Sequence, residues 1–173
     1  MQRTQYSGLA PLAQRCLAHL DREESYLQQT RSCLIELNEA LRKGGMVQID
    51  STRVKQAQLV LLAEQLSETR TALCEALAEA LQLPIQDVTL SRFAAITPSP
   101  WSERLAETRD RLRPIVAEVH FLNTRNISLI NYCRSYLQRI FNGATGATQS
   151  VTRYGRSGSQ LDSAYGTLFV AMG

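Results

Sequence analysis

Between Ser99 and Asn142 apolar residues return every seven positions, and this repeat restricts the chain more than any other feature. Leu105, Leu112, Val119, Cys133 and Ile140 form one line. Trp101, Ile115, Leu122, Leu129 and Tyr136 form a second with the complementary offset. Alternating spacings of three and four make an a/d seam, the mark of a long helix packed along its neighbours. Val116, Ile130 and Leu137 widen the seam, so contact with more than one neighbour is expected. Ser99 is placed to cap free backbone N–H groups, Pro100 suits the first helical position, and Asn142-Gly143 is a stop signal. Two residues interrupt the pattern. Pro114 removes a backbone donor and clashes with the carbonyl of Asp110, which predicts a kink or a helix boundary. Asn126 falls on the seam line. It either sets register at a cost in stability or, through drift of the seam, lies at a solvated edge.

The chain before this stretch reads the same way. A helix is expected from Leu9 to Lys43, with Leu20, Leu27, Leu34 and Leu41 every seven residues, Leu17 and Leu37 beside them, and Gly44-Gly45 as its end. Met46–Ile49 reads as a short connection, after which Asp50 or Ser51 caps a second helix running to about Leu83, closed by Pro84. Its lines are Leu59, Leu66, Leu73, Ala80 and Leu62, Thr69, Ala76, Leu83. The short loop predicts antiparallel packing of the pair. Residues 87–96 suit a short helix capped by Asp87 or Thr89, with Leu90, Phe93 and Ile96 on one side. The expected fold is therefore all-α: an elongated bundle or coiled coil of three long helices, a short helix before the last, and a flexible C-terminal tail. Residues 1–142 form the bundle and residues 143–173 the tail. Ala, Thr, Gly, Ser and Gln dominate the tail through Gln160 and cannot bury a core alone. Tyr154, Leu161, Tyr165, Leu168, Phe169, Val170 and Met172 are dispersed through it, which points either to docking on a partner or the bundle, or to an inert terminus.

Composition removes several function classes. The net charge of +3 is weak, and Arg and Glu interleave along the helices, so no basic stripe for nucleic acid is expected. No apolar run approaches the roughly 18 residues that cross a bilayer, and an aromatic-poor surface of mixed charge does not suit stable membrane insertion. Cys16, Cys33, Cys74 and Cys133 lack Cys-x-x-Cys spacing and lie in apolar helical patterns. With no signal peptide before them, a reducing cytoplasm is expected. His19 and His120 stand on different helices without metal-ligand spacing. Glu23-Glu24 resembles a paired carboxylate, but such a pair on a helix is ordinarily a solvated face. Gly143, Gly146, Gly155 and Gly158 follow a helix rather than a strand, which excludes a phosphate loop, and Ser157 and Ser159 lack a nearby base. No catalytic centre, cofactor or metal is expected. Protein–protein binding is.

The stretch Phe121-Leu122-Asn123-Thr124-Arg125-Asn126-Ile127-Ser128-Leu129-Ile130 resembles the Leu-Asn-x-x-Asn-x-x-Leu-Ile signature of FlgN-type flagellar export chaperones. Tyr136-Leu137 and Ile140-Phe141 continue it as that family's third helix does, and Tyr154-Gly155-Arg156-Ser157-Gly158 matches its Tyr-x-x-x-Gly element. The resemblance extends over nearly the whole chain. It implies a cytoplasmic, non-enzymatic chaperone of type III flagellar export. Such a chaperone binds terminal segments of hook–filament junction proteins and docks them at the cytoplasmic domain of the export gate. Tyr154 and Gly158 would be gate contacts by resemblance. The substrate groove is expected on Leu122, Leu129, Ile130, Cys133, Tyr136, Leu137 and Ile140, each of which has a plain intramolecular core as its alternative. Asn123 and Asn126 would bond the partner's backbone or set register. Two other readings compete: a coiled-coil adaptor that only self-associates, and an all-α enzyme, which requires a buried charged constellation.

Overall fold

The computed structural model describes residues 9–145, together with 153–154 and 160–161. Four α-helices follow one another: α1 (Leu9–Lys43), α2 (Met46–Leu81), α3 (Leu90–Ile96) and α4 (Trp101–Thr145), with a 3₁₀ turn at Ile85–Asp87. By their contacts the residues form two compact units, Met1–Asn126 and Ile127–Gly173, so α4 contributes to both. The all-α class and the order of long and short helices are as the sequence predicts.

Within the first unit, α1 and α2 are antiparallel, as the short connection requires. Arg70 Nε donates to Glu23 Oε1 at 2.7 Å and Lys55 Nζ to Glu36 Oε2 at 2.6 Å, so partners on α2 fall in number as those on α1 rise. The turn between the helices depends on Gly44. At φ +68° it adopts the left-handed conformation, which lets the Gly45 N–H reach back to the Ala40 carbonyl at 3.0 Å. The connection itself is shorter than expected. Met46 already opens α2, and neither Asp50 nor Ser51 is its cap. Gly45 holds that place without a side chain, its carbonyl accepting from the Ile49 N–H at 3.0 Å. The far end closes in the same manner. Gln82 is left-handed at φ 52°, and the Leu83 N–H bonds the Ala78 carbonyl just before Pro84.

The core joins the first half of α1, the last part of α2, α3 and the start of α4. Leu17, Leu20, Leu73, Leu77, Phe93, Leu105 and Leu112 are all buried in it, with Trp101 packed alongside. On α2 Leu66 and Leu73 of the first line are buried, with Leu59 half-buried and Ala80 exposed, and no member of the second line is buried. Leu77 turns inward, while Thr69 is exposed and Ala76 half-buried, because α2 has one long neighbour to cover it. Thr89 rather than Asp87 caps α3, accepting from the Arg92 N–H at 3.2 Å. Phe93 is buried there, whereas Ile96 faces outward.

α4 departs from expectation in three places. Ser99 does not cap the backbone. Its hydroxyl donates to Glu103 Oε1 at 2.9 Å, and the Trp101 and Ser102 N–H groups turn to the Pro98 carbonyl. Pro114 neither starts nor ends the helix, which runs through it. Buried Leu112 and the ion pairs of Arg111 and Glu118 hold the helix on both sides of the missing donor. Beyond Asn142-Gly143 the helix continues to Thr145, whose hydroxyl donates to the Phe141 carbonyl at 2.8 Å. Most of the expected tail lies outside the described residues. Within it, β1 (Arg153–Tyr154) and β2 (Gln160–Leu161) pair antiparallel, with Arg153 opposite Leu161 and Tyr154 opposite Gln160.

Asn126 is not at a solvated edge. It is 2% exposed; Asn38 Nδ2 donates to its Oδ1 at 2.7 Å, and its Nδ2 donates to the Leu34 carbonyl at 2.8 Å. Asn126→Ala should cost about 1–3 kcal/mol, because the buried Asn38 amide and the Leu34 carbonyl lose their partner. Asn38→Leu with Asn126→Leu should recover much of that loss, since no polar group is then stranded. Urea denaturation of the three chains measures both; a double variant as unstable as the single one would contradict this account.

Candidate partner-binding surface

Burial along the α4 seam is graded. Leu105 is fully buried and Leu112 nearly so; Val119 and Leu122 are half-buried; Tyr136, Leu137 and Ile140 are exposed. α1 ends at Lys43, five residues after Asn38, whereas α4 has nineteen residues after Asn126. In this last part of α4, Leu129 and Cys133 are half-buried and Ile130 is exposed. Leu137 is 64% exposed and Phe141 65%.

Of the residues expected to form a groove, the structure thus leaves Ile130, Tyr136, Leu137 and Ile140 open and Leu122, Leu129 and Cys133 partly so. Asn123 is exposed and, like Leu122, belongs to the first unit. There it borders a groove of about 560 Å³ formed by α1, α2 and α4, with Leu27, Leu34, Leu59, Val60 and Val116 among its walls. Asn126 is unavailable to a partner, because it is buried and its Oδ1 and Nδ2 both bond α1. β1 contains Tyr154, and Gly158 lies outside the described residues.

Sequence reasoning passed over Tyr132, and used Phe121, Ile127 and Phe141 only for the resemblance. All four are exposed. At 100° per residue they fall outside the arc of the a/d seam, and that is the signal that was available. An apolar side chain off the seam has no role inside a bundle. A helix apolar around most of its girth is ordinarily covered.

Several ionisable groups of α1 pair across the fold. Glu23 and Glu24 do not form a solvated face. Glu23 is shared by His19, at 2.9 Å, and Arg70, whereas Glu24 accepts from Arg111 Nε at 2.9 Å. One pair of carboxylates therefore ties α1 to both α2 and α4. Farther along, Arg31 and Glu118 meet at 2.6 Å, and the guanidinium holds the Glu118 carboxyl below the usual carboxylate range. His120 is exposed at the rim of the groove. The four cysteines are free, with Cys16 and Cys33 buried. Among the described residues no three His, Cys, Asp or Glu side chains gather as a metal site, and no helix is long and apolar enough to cross a membrane.

An all-α chain with a long, incompletely covered last helix invites comparison with known families. The family model for FlgN protein matches residues 10–162. The chain belongs to the FlgN family. Comparison with curated proteins and with solved structures gives no match. The FlgN match begins at the second residue of α1 and runs through α4 to just past β2, so it takes in the bundle and the exposed part of α4 together. FlgN proteins are flagellar export chaperones, and in general terms this chain is one.

Burial, with Cys74 and Glu23 adding to it, pushes the Cys16 thiol from 9.0 up to about 11. At pH 8 Cys16 should therefore resist iodoacetamide in the native chain and react at an ordinary thiol rate in urea. As the folded value lies above the unfolded one, this group's contribution to stability is complete below about pH 9 and lost as pH rises through about 11. Mass spectrometry of the Cys16 peptide reads the first effect; equally fast native and unfolded labelling would contradict its burial.

Proposed function

We propose that this FlgN-family chain is a cytoplasmic chaperone that holds a terminal helical segment of a hook–filament junction protein and presents it to the cytoplasmic domain of the flagellar export gate. One observation carries the reading: the run of exposed apolar side chains on α4 from Ile127 to Phe141. A segment laid along this helix covers Ile130, Leu137 and Ile140 as one helix covers another. The cargo has to remain unfolded for export, and a single-helix grip meets that need. Ordering the segment on contact offsets part of the binding energy, so the complex can dissociate at the gate. Residues 143–173 form the second, docking part of the chain, with Tyr154 and Gly158 as its gate contacts.

Tyr136→Asp, Leu137→Asp and Ile140→Asp, made together, test the reading. These side chains are exposed, so each change should alter stability by no more than about 0.5 kcal/mol. Circular dichroism should remain native while capture of a hook–filament junction protein is abolished. Loss of helicity would show that the residues are core; retained capture would place the site elsewhere. An adaptor that only self-associates predicts a fixed oligomer whose mass is insensitive to cargo, which light scattering at low concentration decides.

A further inference from the structure

The C-terminal third of the chain carries all of the net positive charge. From Val119 to Gly173 there are five arginines and one aspartate, a balance of +4 against +3 for the whole chain, so residues 1–118 stand at −1. Within α4 the separation is complete: Val119 to Thr145 contains Arg125, Arg134 and Arg139 and no Asp or Glu. All three arginines are exposed, and no ion pair among the described residues involves them.

Their positions on the helix are specific. With Val119, Cys133 and Ile140 at position a, residues 118, 125, 132 and 139 occupy position g, the edge of the seam from which long side chains reach a facing helix. Glu118 already uses this edge, reaching Arg31 of α1 at 2.6 Å. One and three heptads later the same edge carries Arg125 and Arg139, while Arg134 stands on the opposite flank of the apolar arc. The edge thus changes sign between Glu118 and Arg125.

We propose that the exposed face of α4 selects an acidic amphipathic segment, whose apolar side covers Tyr136, Leu137 and Ile140 and whose flanking carboxylates meet Arg134 and Arg139. This rests on the cargo-binding reading and adds the chemistry of the segment. A second copy of the chain is a poor occupant, because it brings arginines against arginines. An anionic lipid surface shares the attraction for arginine, but lipid contact calls for charge opposite the apolar arc, whereas Arg134 and Arg139 stand at its two edges, as in helix pairing.

The test uses the full chain and two labelled synthetic amphipathic peptides that share an apolar face and carry either Glu or Lys at the flanking positions. In fluorescence anisotropy the Glu peptide should bind about tenfold tighter at low salt, with the advantage shrinking as salt shortens the screening length. Arg134→Glu with Arg139→Glu, both exposed and so harmless to helicity, should reverse the preference to the Lys peptide. Equal binding of the two peptides, no reversal, or displacement of the Glu peptide by anionic phospholipid vesicles would overturn the proposal. Capture of a hook–filament junction protein that persists unchanged in the charge-reversed chain sinks this inference alone, whereas failure of the unaltered chain to capture any such protein sinks the reading beneath it.

Discussion

The bond between Asn38 and Asn126 sets how the first unit is assembled. Two amides and the Leu34 carbonyl are mutually satisfied where a bundle would otherwise place leucines. Such a pair tolerates one register and little else, because a slip strands buried donors and acceptors. The ion pairs keep the same step. Glu24 meets Arg111 and Arg31 meets Glu118, each 87 residues apart, and Asn38 meets Asn126 at 88, so α1 and α4 run parallel with a constant offset. Apolar contacts alone allow a shift by one heptad, since leucine against leucine is nearly as good one repeat along. The polar contacts forbid it.

With the register held, two kinds of helix surface follow. Before Asn126, α4 lies among apolar neighbours and its seam is covered, from Leu105 to the half-buried Val119 and Leu122. After it, Tyr132, Tyr136, Leu137, Ile140 and Phe141 are more than half exposed. Such exposure is a liability in a protein that acts alone. On the proposed reading it is the surface that takes cargo, and Arg134 and Arg139 beside it keep the region hydrated. The same physics serves binding and solubility.

Much of this was legible in the residues. The heptads of α1 and α4 locate both helices, the paired glycines mark the first turn, and Thr89 is the ordinary cap that α3 uses. Local signals failed where tertiary contacts outweighed them. Pro114 suggests a kink or a boundary, and the boundary does not occur, because Leu112, Arg111 and Glu118 keep the helix in place across it. Asp50 and Ser51 are good caps by type, yet Gly45 lets α2 begin one turn sooner. Glu23-Glu24 has the composition of a solvated face and proves to be a cross-helix tie, because its partners Arg70 and Arg111 are remote in sequence.

What the sequence determined by itself is the period: a seven-residue repeat makes long helices with one apolar face, whatever stands opposite. It also carried the family signature, since those motifs are local. Which part of that face is covered was decided by the tertiary structure alone. A repeat states that a side chain seeks burial, but it contains no information on where the neighbouring helix stops. Asn126 shows the same division. Its polarity on the seam is visible in the residues, but its meaning depends on Asn38, 88 positions away, being within 2.7 Å.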